Sequence, residues 1–462
     1  MELNTTTALS ERCFRPAYKR YALAAMTTVF TLNYMDRCLI TLLLQPIKVD
    51  LHLSDTQLGF LTGIAFGLFY ATLGLPIARW ADRGNRVTIT ALAIGLWGLT
   101  VMVCLFVTNF IQVLLARIAA AVGESGCMPP TYSLVGDYFP APAERTRAMS
   151  IYMLAGPLSA LVSFSLGGFL NEHYGWRVTF FLMGVPALIV GVLFKWTIAE
   201  PPRQASRASV QGEKLPRMTD VLKMLWHQRS ARHLTLGIIL FWTMGLGLMP
   251  WYAAFLMRSH SMGTTEVGVW FGLIVGISGA AGILLGGYVA ARWFARDERG
   301  QMRLSAVMIA ALVPCFVLFL FLPQKHQALF AFIPLVLVFN CFLGPTFALL
   351  QLLVADEMRA TTLAVVMLLA NLIGMGIGPQ VVGTLSDLLT PTLGSDSLRY
   401  AMFIMSFTAL WAAYHFWQVG NTVEEDLSAA NTRCGFAPSI AGDCASGCVV
   451  PVDLEARADR LR

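Results

Sequence analysis

Gly74-Leu75-Pro76-Ile77-Ala78-Arg79-Trp80 returns 213 residues later as Gly287-Tyr288-Val289-Ala290-Ala291-Arg292-Trp293. A shift of 215 lays Pro130-Thr131-Tyr132 on Pro345-Thr346-Phe347, and Gly156-Pro157 has a counterpart in Gly378-Pro379. Any one of these matches could arise by chance. Three of them, in the same order and at equivalent places along both halves, make the chain a duplication.

Composition says what is duplicated. The 462 residues are 56% hydrophobic and only 13% charged, against about 25% charged in soluble domains. With a mean hydropathy of +0.64, a soluble protein of this size could not be wetted. The same figures exclude a disordered chain, which needs low hydrophobicity. They also exclude a nucleic-acid binder, which clusters its cations on one folded face. Twelve stretches reach the roughly 20 apolar residues needed to cross a bilayer: 21–44, 57–79, 87–108, 110–138, 147–170, 177–198, 234–257, 265–293, 304–322, 328–354, 360–386 and 398–419. Backbone groups in lipid must be satisfied within the segment, so these are helices.

The expected fold is therefore all-α and integral to the membrane, with twelve helices in two pseudo-symmetric six-helix bundles over 21–198 and 233–420. A tail at 1–20, a polar loop at 199–232 and a disordered polar tail at 421–462 complete the chain. Basic residues orient it. With both termini cytoplasmic, inner segments hold 26 Lys and Arg and outer loops only five, Lys48, Arg177, Arg258, Lys325 and Arg399. This is the pattern of a multi-pass plasma (bacterial inner) membrane protein. The polar N-terminus shows no removable signal peptide. Nine scattered cysteines predict no disulfide framework, and Cys444 with Cys448 is too thin a pair to predict a metal site.

Four charges sit well inside the spans: Asp36, Arg37, Arg117 and Glu124. Such residues are costly in lipid and normally face a cavity and carry function, although a structural ion pair is the simpler alternative. At ~1.5 Å per residue, Asp36 lies roughly 22 Å from the cytoplasmic side, and Arg117 ~10 Å below the outer side. In a ~30 Å core these levels nearly coincide, so an Asp36–Arg117 pair is possible. Glu124, ~21 Å below the outer side, is two turns beyond Arg117 on the same face. Arg37 can face the cavity while Asp36 faces span 4, with Asn33, one turn below, as its hydrogen-bond partner. The seven histidines lie in loops or near span ends, which leaves Asp36, ahead of Glu124, as proton carrier. An anion competing for Arg37 or Arg117 would free a carboxylate to take a proton. The second half has no charge at mid-depth, only aromatics such as Trp242, Tyr252 and Phe342. A polar head at Arg37, Arg117, Glu124 and Asn33 and an apolar part against the second half would suit an amphipathic anion, phosphate or carboxylate alike. Gly156-Pro157 and Gly378-Pro379, being equivalent, are expected hinges.

Duplicated halves around a midplane site are the architecture of secondary transporters. Residues 18–420 resemble the major facilitator superfamily, and Asp82-Arg83-Gly84-Asn85-Arg86 is similar to its loop between spans 2 and 3. Ala78 and Asn85 depart from the usual glycines, and Ala295 replaces Asp82 in the second copy. The resemblance implies a cavity lined by spans 1, 4, 7 and 10, a monomer, and a cytoplasmic latch of Asp82, Arg86 and Asp137. More narrowly, Asn33-Tyr34-Met35-Asp36-Arg37, Arg117 with Gly123-Glu124-Ser125-Gly126, and Phe69-Tyr70 resemble the spinster-type branch, which implies lysophospholipid or sphingoid-phosphate substrates. The resulting expectation is a proton-coupled carrier of an amphipathic anion, needing no cofactor beyond the proton, with membrane lipids as its surroundings. A carrier of small organic anions or drugs is the alternative. A lipid enzyme would need a nucleophile or metal motif that is not found, and a channel or receptor would show non-saturating flux or binding alone.

Overall fold

A computed structural model describes residues 14–202, 218–294, 297–341, 343–354 and 358–433. Among these residues the regular structure is entirely helical. Nine helical stretches are long and apolar enough to cross a membrane. Two of them, Ala143–Thr197 and Thr361–Ser428, each contain two crossings. The first turns at Gly175, whose φ of 78° suits a residue without Cβ, and the second at Gly394–Asp396. Pro16–Leu51, charged enough to fall outside a purely apolar count, supplies the remaining crossing. The spans number twelve.

Several spans are broken along their length. Span 2 is Asp55–Thr62 followed by Ile64–Arg83. Span 4 divides into Phe110–Ser125 and Met128–Tyr138, just past Glu124. Span 7 comprises Arg229–Leu248 and Trp251–His260. Single π-turns interrupt span 8 at Ile274–Ser278 and span 11 at Leu372–Ile377, a deformation common at functional sites. Leu154 separates Pro142–Met153 from the rest of span 5, next to the expected hinge at Gly156. At the other expected hinge the structure shows close packing. A Cβ on Gly378 would stand 2.6 Å from the Gly247 Cα of span 7.

Two expectations about the polar segments change. The loop 199–232 contains a helix, Met218–His227, and span 7 already begins at Arg229. The last helix runs on to Arg433, so the first turns of the expected disordered tail are helical. Asp426 explains why: its carboxylate caps span 7 by accepting the Ser230 N–H at 2.7 Å, which gives the polar extension a packing partner.

The two bundles meet at their outer ends. Spans 2 and 11 approach where a Cβ on Gly59 would stand 2.6 Å from the Pro379 carbonyl oxygen. Spans 5 and 8 approach at Gly168, 2.5 Å from the Thr264 carbonyl by the same measure, and at Gly268 against Phe164. Only small residues permit such contact between backbones. The outer face is therefore the sealed one.

Candidate functional site

The four intramembrane charges form one chain. Arg117 donates from Nη1 to Asp36 Oδ2, and Arg37 donates from Nε to Glu124 Oε2 at 2.9 Å. Asp36 and Glu124 lie near enough to interact through their charges. Two ion pairs, Arg117–Asp36 and Arg37–Glu124, thus meet through their carboxylates, and the four charges cancel. The aromatic ring of Phe66 from span 2 lies 4.9 Å from the Arg117 guanidinium and 5.2 Å from that of Arg37. The rings of Tyr70 and Tyr34 lie 4.6 and 5.7 Å from Arg37. Ring faces stabilise cations within about 6 Å.

The chain is incompletely satisfied. Asp36 Oδ1, Glu124 Oε1, Arg37 Nη2 and Arg117 Nε are buried without a hydrogen-bond partner. Leaving charged groups half-paired in low dielectric is costly, and structures retain such groups where they have work to do. The two free carboxylate oxygens can accept a proton, and of the two free guanidinium nitrogens the one on the partly exposed Arg37 is the better placed to meet an anion. Access separates the four. The Arg37 side chain is 17% exposed, whereas Glu124 is completely buried and Asp36 and Arg117 nearly so.

This arrangement corrects the expected contacts. Asn33 does not pair with Arg37; its Nδ2 donates to the Glu124 backbone carbonyl at 3.4 Å, and it is fully buried. One helical turn places it on the face of span 1 that packs on span 4. Arg117 and Glu124, expected to touch solute, are likewise buried in ion pairs, leaving Arg37 as the exposed cation of the four.

Beside this chain lies a cavity of about 280 Å³ whose walls are chiefly second-bundle residues, among them Trp242, Tyr252, Phe271, Phe316, Phe339 and Asn340. Tyr252 packs against Phe332 and Phe319 at centroid distances of 4.9 and 5.7 Å, at the outer end of the cavity. Tyr34 of span 1 is part of the same wall, so one ring contacts both Arg37 and the apolar space. Phe342 lies outside the described residues. In the sequence Tyr34 and Tyr70 stand out only within the motifs that carry the family resemblance, and Phe66 not at all. Their spacing offered a signal, since Tyr34 precedes Arg37 by one turn and Phe66 and Tyr70 are four residues apart, on one helix face.

At the cytoplasmic face Arg86 is buried and donates to Asp137 at 2.5 Å and to Ser133 at 2.8 Å. Its Nε also donates to Glu200 at 2.6 Å. Glu200 in turn accepts the Val87 N–H at 3.0 Å, placing an anion at the positive end of span 3. The side chain of Asp82 and residue Ala295 lie outside the described part. Glu200 was not anticipated, because it sits in what reads as a loop.

The outer face carries a second charged cluster that the sequence did not reveal. Asp55 accepts two hydrogen bonds from Arg258, at 2.7 and 2.8 Å, one from Lys48 at 2.5 Å and one from Ser386 at 2.6 Å. Asp387 accepts the N–H groups of Asp55 and Thr56 at 3.0 and 2.7 Å, and Arg258 reaches Gln45 at 2.6 Å. These bonds tie spans 1 and 2 to spans 7 and 11.

Residues 26–379 match the family model described as Major Facilitator Superfamily. An "MFS-type efflux pump" of Mycolicibacterium smegmatis is 32% identical over 88% of this chain and 94% of its own. "Protein spinster homolog 1" of Xenopus tropicalis is 27% identical, covering 86% of this chain and 80% of its own. A solved bacterial homologue of the human lysosomal transporter spinster, described as inward-facing and unoccupied, superposes with a TM-score of 0.80 at 27% identity. That match covers 89% of this chain and 99% of the other. With its helical fold and outer seal, the chain belongs to the major facilitator superfamily: it is a multi-pass membrane transporter, not an enzyme, and within the family it is spinster-like.

Proposed function

We propose that this transporter couples proton movement to the passage of an amphipathic anion, of lysophospholipid or sphingoid-phosphate type, by alternating access. The observation that carries the reading is the junction at Tyr34. One side of the site offers the partly exposed Arg37 with an unpartnered Nη2, and the other a largely apolar cavity. A head group takes Arg37 away from Glu124. Glu124 is then stranded beside Asp36, and the two neighbouring carboxylates take up one proton between them, because adjacent buried anions are strongly disfavoured. Release of the head group lets Arg37 return and expels the proton. Asp36 is assigned the coupling role ahead of Glu124.

A second reading is a carrier of a compact organic anion or drug, favoured by the similarity to the mycobacterial efflux pump. Thermal stabilisation of the detergent-purified protein separates the two. Lysolipid stabilises it under the first reading, and stabilisation by small carboxylates alone would leave only the second.

A further inference from the structure

The helix Met218–His227 hands over to span 7 through a single residue, Gln228. At 100° per residue, Val221, Leu225, Met218, Leu222 and Trp226 occupy one continuous apolar arc of about 140°. Thr219, Lys223, His227 and Asp220 occupy the other side. The protein covers only half of the arc. Val221 and Leu225 are buried, where the helix packs on spans 7 and 11. Met218, Leu222 and Trp226, spaced by four, are exposed, Trp226 by 64%.

Position and charge say what covers them. The helix leaves span 7 at the level where that span enters the bilayer from the cytoplasm. Trp80, Trp196 and Trp293, at the cytoplasmic ends of spans 2, 6 and 8, are exposed in the same way, as in an interfacial aromatic belt. Trp226 extends that belt. Lys223 and Arg229 are exposed beside it, and the Arg232 guanidinium sits 5.8 Å from its ring. Three cations flanking an apolar stripe fit the anionic head groups of a cytoplasmic leaflet.

We propose that this helix lies in the inner-leaflet interface and binds anionic phospholipid. Met218, Leu222 and Trp226 enter the acyl region, and Lys223, Arg229 and Arg232 meet the phosphate. Since the helix rests on spans 7 and 11, bound lipid also holds the cytoplasmic ends of those spans together.

The test places the photocrosslinker p-benzoylphenylalanine at position 222 or 226, and at 219 as a polar-face control. The full-length protein is put in nanodiscs of phosphatidylcholine with or without phosphatidylglycerol. Mass spectrometry should find lipid adducts at 222 and 226, at least fivefold above position 219. In mixed nanodiscs phosphatidylglycerol adducts should exceed that lipid's mole fraction at least threefold, and the excess should vanish in a Lys223→Gln/Arg229→Gln/Arg232→Gln variant. Crosslinks to a second copy, or to the chain's own N- or C-terminal tail, would overturn the proposal, as would adducts in simple proportion to lipid content. Phosphatidylglycerol retained by the wild type but lost by the triple variant in native mass spectrometry, with no crosslinker present, provides a second reading of the same outcomes.

Discussion

Arg37 and Arg117 belong to one charge chain, and removing either strands a buried carboxylate, yet only the loss of Arg37 should be felt in anion binding. Arg117 is buried against Asp36. Arg117→Gln strands a buried carboxylate and should cost about 3–5 kcal/mol, read as a large fall in thermal stability in detergent. Adding Asp36→Asn removes the stranded charge, so most of that loss should return; no recovery would mean the pair is not what stabilises this region. Arg37 is partly exposed. Arg37→Gln strands a buried carboxylate as well, Glu124, and should also cost stability, but it alone should weaken anion binding tenfold or more, equivalent to at least about 1.4 kcal/mol, measurable by isothermal titration with lysolipid. The Asp36–Arg117 pairing, though not this contrast, was readable from sequence, because depth in a helix is a linear count and the two residues came out level. What the count could not give was facing. Asn33 seemed free to serve Arg37, but the Glu124 backbone claims it, and Phe66 entered the site from a span with no charge at mid-depth to draw attention to it.

At the scale of elements, the outer seal rests on two devices that should act alike. The Asp55–Arg258 lock joins the bundles through charge, and the glycine contacts of spans 5 and 8 join them through close approach. Asp55→Asn and Gly268→Ala should both shift the protein toward an outward-open state. Thr41 lines the cavity, so a cysteine placed there should react severalfold faster with an impermeant thiol reagent applied from outside in either variant than in the parent. Equal rates would show that the seal lies elsewhere. The lock was invisible in the sequence for a physical reason. Lys48 and Arg258 read as loop charges that set orientation, and Asp55 and Asp387 acquire meaning only when spans 2 and 11 meet. The cytoplasmic latch was half visible: Arg86 and Asp137 came from the family resemblance, while Glu200 completes it from the end of span 6. Glu200→Gln weakens the tie between spans 3 and 6, and its expected effect is a slower maximal transport rate with solute affinity unchanged.

Over the whole molecule, the duplication is faithful in scaffold and divergent in chemistry. Both halves repeat the same helices, and the bundles touch through paired glycine crossings at spans 2 with 11 and 5 with 8. Among the described residues, only the first half places ion pairs at mid-depth, and the second builds most of the aromatic wall, to which the first adds Tyr34 and Phe164. A duplicated scaffold thus presents an asymmetric site, which suits the proposed amphipathic solute. The central claim is that the buried carboxylates link solute to protons, with Asp36 as carrier. The most direct test is flux of a labelled lysolipid into proteoliposomes, with and without an imposed pH gradient, for wild type and Asp36→Asn. The expected result is gradient-dependent flux in the wild type, and an Asp36→Asn protein that still binds lysolipid but ignores the gradient. Undiminished gradient dependence in Asp36→Asn would contradict it.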